Sequence, residues 1–345
     1  NQGPTIASGS IQLHSAPLRQ ASAQARRWLV QQAAIKWGVA EEALRTEFGQ
    51  VIYERSDHQT ERVSFADLIG DANIRLLLDP AVPLKATAEH HTIGKPIPRV
   101  DIPGKATGEL TFVHDMRVPG MLHGRVVRPP YAGADHGDFV GNLLQSVDES
   151  SIAHIPGIKA VVVIRDFIGI VAEREEHAEQ AAHELKVVWK DWPGLPDLSN
   201  IENALRANPS TPRELINEGN IDEALQDGGV ELSRTYIWPY QMHASIGPSC
   251  AVADWSTSEH YKLSVWAGTQ NPHVLRADLA RLTGLSDLDI EIIRMEASGC
   301  YGRNGADDVA ADAVPRLQVR PLDRRLRAAR AADAGEGAAR GPEGQ

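Results

Sequence analysis

Tyr261-Lys262-Leu263-Ser264-Val265-Trp266-Ala267 alternates apolar with polar residues, Gly268-Thr269-Gln270-Asn271-Pro272 interrupts it, and Asp289-Ile290-Glu291-Ile292-Ile293-Arg294-Met295 resumes an alternating run further on. Period-two alternation predicts strands. Between the two runs, Asn271 is placed to cap a helix and Pro272 fills its first position. Val274, Leu275, Leu279 and Leu282 recur at helical spacing, and Gly284 stands where the helix should stop. The stretch reads strand, helix, strand. If the strands are parallel neighbours, the crossover is right-handed. The turns after both strands then leave the sheet at its carboxyl edge, where open α/β sheets bind ligands.

The second of those turns is Ser298-Gly299-Cys300-Tyr301-Gly302-Arg303-Asn304-Gly305, leading into Ala306-Asp307-Asp308-Val309. Glycines free the backbone to direct N–H groups at one point, and Arg303 adds positive charge there, so the loop could hold an anion. Taken alone, such a turn is an ordinary tight loop more often than an anion site.

Composition bounds the partners. The 345 residues have room for two or three domains with a sizeable core. A net charge of −11 argues against a nucleic-acid partner. No segment is long and apolar enough to span a membrane, and no signal peptide opens the chain, which leaves the compartment open. Cys250 and Cys300 are the only cysteines. Iron–sulfur clusters generally take four, so electrons from any redox reaction would have to leave through a partner. A disulfide between the two is allowed but not demanded by the spacing; two unpaired thiols, Cys250 buried and Cys300 facing the loop, are expected.

At particular residues the chain resembles a known family. Gly268-Thr269-Gln270-Asn271-Pro272, the glycine loop, and Tyr240-Gln241-Met242-His243-Ala244-Ser245-Ile246-Gly247-Pro248-Ser249-Cys250 are similar to the molybdenum-binding large subunit of the xanthine dehydrogenase and aldehyde oxidase family, in its isoquinoline 1-oxidoreductase or nicotinate dehydrogenase branch. Gly94-Lys95-Pro96-Ile97-Pro98-Arg99-Val100-Asp101, Thr107-Gly108, Asp115, Pro119-Gly120-Met121-Leu122-His123, Val127-Arg128-Pro129-Pro130, Ile155-Pro156-Gly157-Ile158 and Val187-Val188-Trp189 resemble its α/β hammerhead domain. The resemblance covers most of residues 94 to 313. It implies an α+β, multi-domain chain: an N-terminal α+β segment over 1–90 resembling a piece of a cofactor-binding domain, the hammerhead over 94–195, the first part of a molybdopterin-binding domain over 214–313, and a tail over 314–345.

The resemblance also implies a chemistry. Molybdopterin cytosine dinucleotide would be bound by Gly268, Thr269, Gln270, Gly299, Tyr301, Gly302 and Arg303. No side chain would ligate the metal directly, and the Gln270 amide would serve as a neutral hydrogen-bond donor beside it. The reaction implied is hydroxylation of an N-heteroaromatic ring, or oxidation of an aldehyde, with oxygen from water. Electrons would pass to a small [2Fe-2S] iron–sulfur subunit, with cytochrome c as an onward acceptor. The glycine loop departs from the more usual Gly-Gly-Phe-Gly-Gly-Lys at Cys300 and Arg303, which weakens substrate inference from better-known members. The family's general base, a glutamate in Gly-x-Gly-Glu, has no counterpart here; Ala334-Gly335-Glu336-Gly337 only echoes it. The expectation is a fragment without catalytic activity of its own, or a hammerhead-containing fragment that binds no cofactor at all. A nicotinamide-dependent dehydrogenase is disfavoured because the loop is not Gly-x-Gly-x-x-Gly.

The flanks read more plainly. Ser8-Gly9-Ser10 resembles a cofactor-contacting segment that follows a longer N-terminal portion in relatives. A helix is predicted from Pro17 to Lys36, a helical turn over 39–44, strands at Gln50–Glu54, at 121–128 and at 160–164, a strand passing into a short helix over 63–69, and a helix from Glu175 to Leu185. Asp79–Leu84 and 191–212 read as linkers, the second broken by four prolines. After Val314 the text changes to arginine, alanine, glycine and proline, with seven arginines against four acids. A shifted reading frame with a disordered product is expected there; a genuine basic tail is the other reading. Glu173, Glu175, Glu176 and Glu179 read as a solvated helix face. His177 and His183 are wrongly spaced for a zinc site, and His90-His91 reads as surface. His243 reads as a buried, hydrogen-bonded histidine or as one approaching a substrate, and Arg128 as a strand end or a phosphate partner.

Overall fold

The computed structural model describes residues 3–131, 141–195, 197–226, 228–230, 232–239, 241, 243, 246–255, 260–301, 308–314 and 328–332. The chain divides into two compact units, one of Asn1–Thr111 with Gln270–Val274, the other of Phe112–Thr269 with Leu275–Gln345.

In the first unit a long helix, α1 (Ser15–Trp37), packs on an antiparallel sheet of β1 (Leu44–Glu47), β2 (Gln50–Glu54) and β3 (Thr60–Ser64). Leu29, Val30, Ala33 and Ala34 form its buried stripe, spaced by one helical turn, and Ala33 meets Val51 and Val63 of the sheet. Gly38, at φ 66°, ends the helix in the left-handed conformation that favours glycine. Ser64 closes β3 and accepts a hydrogen bond from the Asp67 N–H at 3.0 Å, capping α2 (Phe65–Ile69). Further along, α3 (Ile102–Thr107) stops at Gly108, φ 77°.

The second unit is built on a sheet of β4 (Leu122–Val127), β6 (Ile158–Ile164), β7 (Phe167–Ala172), β9 (Cys250–Asp254), β10 (Leu263–Ala267), β11 (Ile290–Arg294) and β12 (Ala328–Ala332). Among the described residues its order is β11-β10-β9-β12-β4-β7-β6. A separate antiparallel pair joins β5 (Leu144–Asp148) to β8 (Lys186–Trp189). Helix α4 (Glu175–Glu184) buries Ala178 and Ala181, and α5 (Ile201–Ala207) and α6 (Ile221–Gln226) lie on the way to β9. The deciding stretch folds as its pattern predicts: β10 and β11 pair in parallel, Leu263 opposite Ile290 and Ala267 opposite Arg294, with α7 (Pro272–Thr283) as the crossover. Leu275 and Leu279 of α7 pack with Leu263, Val265 and Ile290 and with α8 (Asp308–Ala313). Gly284, at φ 72°, ends α7 and donates its N–H to the Ala280 carbonyl.

Two expectations are corrected. The proline-broken linker contains α5, because Asn200 accepts a hydrogen bond from the Asn203 N–H and so caps a helix that fits between the prolines. The stretch from Val314 is not wholly without structure. Val314 is fully buried, its carbonyl accepts from the Trp255 indole at 3.1 Å, and Ala328–Ala332 forms β12, antiparallel to β9 and parallel to β4. One sheet thereby takes strands from both the 94–195 and 214–313 stretches.

Candidate functional site

Parallel pairing brings the two sequence-predicted turns to the same edge of the second unit's sheet. The Met295 N–H donates to the Ala267 carbonyl at 3.0 Å, so the ladder continues to the last residue before Gly268 and the chain leaves both strands together. Thr269 is among the few buried polar residues, at 4% exposure.

The glycine loop is held from below by the segment that runs into β9. Ser298 Oγ donates between the carbonyls of Gly247 (3.2 Å) and Pro248 (3.0 Å). His114 Nε2 donates to the same Pro248 carbonyl at 2.8 Å. Its neighbour Val113 donates its N–H to the Glu296 carbonyl at 2.9 Å, continuing a parallel bridge between Phe112 and Glu296. His243 Nδ1 lies 2.6 Å from the Tyr301 carbonyl. A carbonyl can only accept, so Nδ1 carries the proton. Beneath this corner Val113, Cys250 and Val252 form a buried cluster with Met116, Trp266 and Met295 against it.

Backbone geometry explains the small residues. Gly299 sits at φ 113°, and a Cβ there would come within 2.6 Å of Tyr301 Cε2, so the tyrosine ring folds over the glycine. Tyr301 itself takes a left-handed φ of 48° and stays about half exposed. A Cβ on Gly247 would lie 2.5 Å from Ser298 Cβ. Gly302 and Arg303 lie outside the described residues.

Gln270 belongs to the first unit and is clasped to the N-terminal segment. The Thr5 N–H donates to the Gln270 carbonyl at 3.0 Å, and Gln270 Nε2 donates to the Thr5 carbonyl at 2.7 Å. Its Oε1 is buried with no hydrogen-bond partner among the described residues. Such an unmet acceptor costs about 1–3 kcal/mol, and it is the sort of group a ligand satisfies. Ala7 and Ser8, just beyond Thr5, are left-handed at φ 50° and 58°.

Other sequence candidates resolve as follows. Glu175 and Glu179 hold Arg125, which is 8% exposed in β4, at 3.1 and 3.6 Å, so they are partners to a buried cation as well as a solvated face. Lys159, hydrogen-bonded to Glu173, holds that carboxyl below its usual range. His243 is exposed, which corrects the buried reading, although it is hydrogen-bonded as expected. Arg128 pairs with Asp312 at 2.5 Å. Cys250 is buried, and the two cysteines are not joined in a disulfide. Among the described residues no group of three or more His, Cys, Asp or Glu side chains could hold a metal, and no helix is long and apolar enough to cross a membrane. An open polar cleft of about 380 Å³ lies elsewhere, between β5 and the β6–β7 turn at Arg165 and Asp166, and takes no residue from either turn. Sequence reasoning missed His114 and, although it included Ser298 in the loop, missed that residue's anchoring role. Neither carries a local signal, because their partners are remote in sequence.

Residues 207–329 match the family model of the molybdopterin cofactor-binding domain. Over 328 residues, 95% of this chain, the sequence is 57% identical to a nicotinate dehydrogenase subunit of Pseudomonas putida. The chain belongs to the molybdopterin hydroxylase family. Within that family it is also similar to the beta subunit of isoquinoline 1-oxidoreductase from Brevundimonas diminuta, 28% identical over 86% of this chain. The chain spans 27% of the length of the first relative and 42% of the second. Among solved structures, quinoline 2-oxidoreductase from Pseudomonas putida 86 matches 70% of this chain and 34% of its own with a TM-score of 0.51. At 18% identity that likeness concerns the fold, and it agrees with an α+β architecture shared with molybdenum hydroxylase large subunits.

Proposed function

We propose that this chain is part of a molybdenum hydroxylase large subunit and forms one side of the site for molybdopterin cytosine dinucleotide. The observation that carries the proposal is the 57% identity across 95% of the chain to the nicotinate dehydrogenase subunit. The Gln270 amide supports it: its Nε2 donates to Thr5, and its buried Oε1 has no partner among the described residues, so a neutral acceptor is available to a ligand. The residues present therefore fit the group. Gly268, Thr269, Gln270, Gly299, Tyr301, Gly302 and Arg303 are the ones assigned to hold it. When bound, the cofactor supplies the redox centre for hydroxylating an electron-poor carbon with oxygen from water. The protein's part is to fix orientation, to exclude water from the turn at the buried Thr269 and to keep that turn uncharged.

The substrate class is an N-heteroaromatic ring rather than an aldehyde, since the relatives matched over most of the chain are named for nicotinate and isoquinoline. As electron acceptors we assign a [2Fe-2S] subunit and, after it, cytochrome c; the two cysteines within these 345 residues are too few for a cluster of their own. The 345 residues contain no Gly-x-Gly-Glu, so the chain by itself binds cofactor without turning over. The test is to express the chain in a host that makes the cytosine dinucleotide cofactor, then measure molybdenum by mass spectrometry and cytidine monophosphate released by acid. Near-stoichiometric amounts of both, lowered in Gln270→Ala, are expected. Neither in the parent chain would overturn the proposal and leave a folded segment that binds no cofactor.

A further inference from the structure

We propose that His243 is a positioning residue for Tyr301, whose half-exposed ring offers a flat face to a planar heteroaromatic ligand. The inference rests on the reading of the glycine loop as part of a substrate and cofactor site. It begins with strain. Tyr301 is a bulky residue in the left-handed region at φ 48°, where an L side chain is disfavoured and persists only if its surroundings fix it. Its ring lies against the Gly299 backbone, at the place a Cβ would fill, and the side chain stays about half exposed. The contact that fixes the backbone is the Nδ1–H of His243, given to the Tyr301 carbonyl at 2.6 Å.

That bond determines the tautomer. The neutral imidazole of His243 must keep its proton on Nδ1, leaving Nε2 without one. The Gly247 and Pro248 carbonyls hold Ser298 three residues earlier, so the loop is anchored at its start, and His243 holds it again at Tyr301.

Asparagine can present an N–H where Nδ1 stands, and alanine cannot, so His243→Asn and His243→Ala separate donation from bulk. Chymotrypsin cuts after Tyr301 only when the left-handed turn opens, and the cut after the fully exposed Phe48 of the other unit serves as reference. A lost neutral hydrogen bond is worth about fivefold in opening. The expected result is cutting at Tyr301 about fivefold faster in His243→Ala, relative to Phe48, with His243→Asn like the parent. Quinoline, used as a planar probe, should slow that cut in the parent and His243→Asn but not in His243→Ala. Nitrogen-15 spectra at about pH 9, above the ordinary histidine range, should show the resonance lost in His243→Ala to be an Nδ1–H tautomer. Equal cutting in all three proteins, an Nε2–H tautomer, or no protection by quinoline in the parent would overturn the proposal. None of these measurements needs bound cofactor, so they fail or succeed independently of the molybdenum analysis.

Discussion

Replacing Gly247 by alanine should unseat the glycine loop through a single methyl group. The new Cβ would stand 2.5 Å from Ser298 Cβ, 3.3 Å from its Oγ and 3.6 Å from its Cα. Carbon atoms at rest sit about 3.5–4.0 Å apart, so one side must retreat by roughly an ångström. Ser298 cannot do so by turning a flexible end, because the conflict is with its Cβ. Such overpacking costs about 1–3 kcal/mol. Retreat also breaks the hydroxyl's shared hydrogen bond to the Gly247 and Pro248 carbonyls, adding about 1 kcal/mol, for a total of roughly 2–4 kcal/mol. Ser298→Gly alone loses the hydrogen bond and frees the backbone, at about 1–2 kcal/mol. With no Cβ at 298 the added methyl meets nothing, so the double variant should match Ser298→Gly, a coupling of roughly 2–4 kcal/mol. Urea unfolding with an unchanged m-value measures all four proteins. Gly247→Ala within about 0.5 kcal/mol of the parent, or additive effects in the double variant, would refute the close approach and with it the seating of the loop.

Two further outcomes follow from the packing and the charges. Leu279→Ala empties a site that is 1% exposed between α7 and the β10–β11 pair, and should cost about 2–5 kcal/mol in the unfolding of the second unit. In the first unit, Arg99 and then Lys105 hydrogen-bond Asp101 and hold its carboxyl far below the usual range. A depressed folded pKa contributes stability that is present above the ordinary carboxylate value near about 4 and lost as pH falls through the lower folded value. Asp101→Asn should therefore lower the melting temperature at neutral pH, and the gap to the parent should close on acidification. A gap that persists at low pH would show that the ion pair is not its source.

What could be read from the sequence was what local chemistry encodes. The β10–α7–β11 unit announces itself within 35 residues through alternation, the Asn-Pro start and a glycine stop, and each signal acts between neighbours. Helix α5 was hidden because the prolines around it dominate the reading, although Asn200 is a sound cap. The corner that seats the glycine loop is different in kind. His114 reaches Pro248 across 134 residues and Ser298 reaches it across 50, and hydroxyl or imidazole groups carry no sequence signature for a carbonyl so far away. Arg125 likewise meets Glu175 across 50 residues, so the acids that looked merely solvated also neutralise a buried cation. Gln270 shows the mixed case. Its turn is legible, but its clasp with Thr5 across 265 residues is not, and that clasp leaves Oε1 buried and, among the described residues, unmet.

The stretch after Val314 sets composition against topology, and the two make opposite predictions. An arginine- and alanine-rich run with no aromatic residue has little apolar surface to offset the entropy of ordering, which favours disorder. Yet β12 stands between β9 and β4 and is, among the described residues, the strand that joins β11-β10-β9 to β4-β7-β6. Backbone pairing on both sides can order a segment whose side chains contribute little, because buried N–H and carbonyl groups of the neighbouring strands are otherwise left unmet. Deleting residues 315–345 separates these accounts. If β12 is seated, the amides of β9 and β4 that face it should lose hydrogen-exchange protection while those of β10, β11, β6 and β7 keep theirs, and one unfolding transition should become two. Protection unchanged by the deletion would mean that the stretch does not pair, and that β9 and β4 are edge strands in solution.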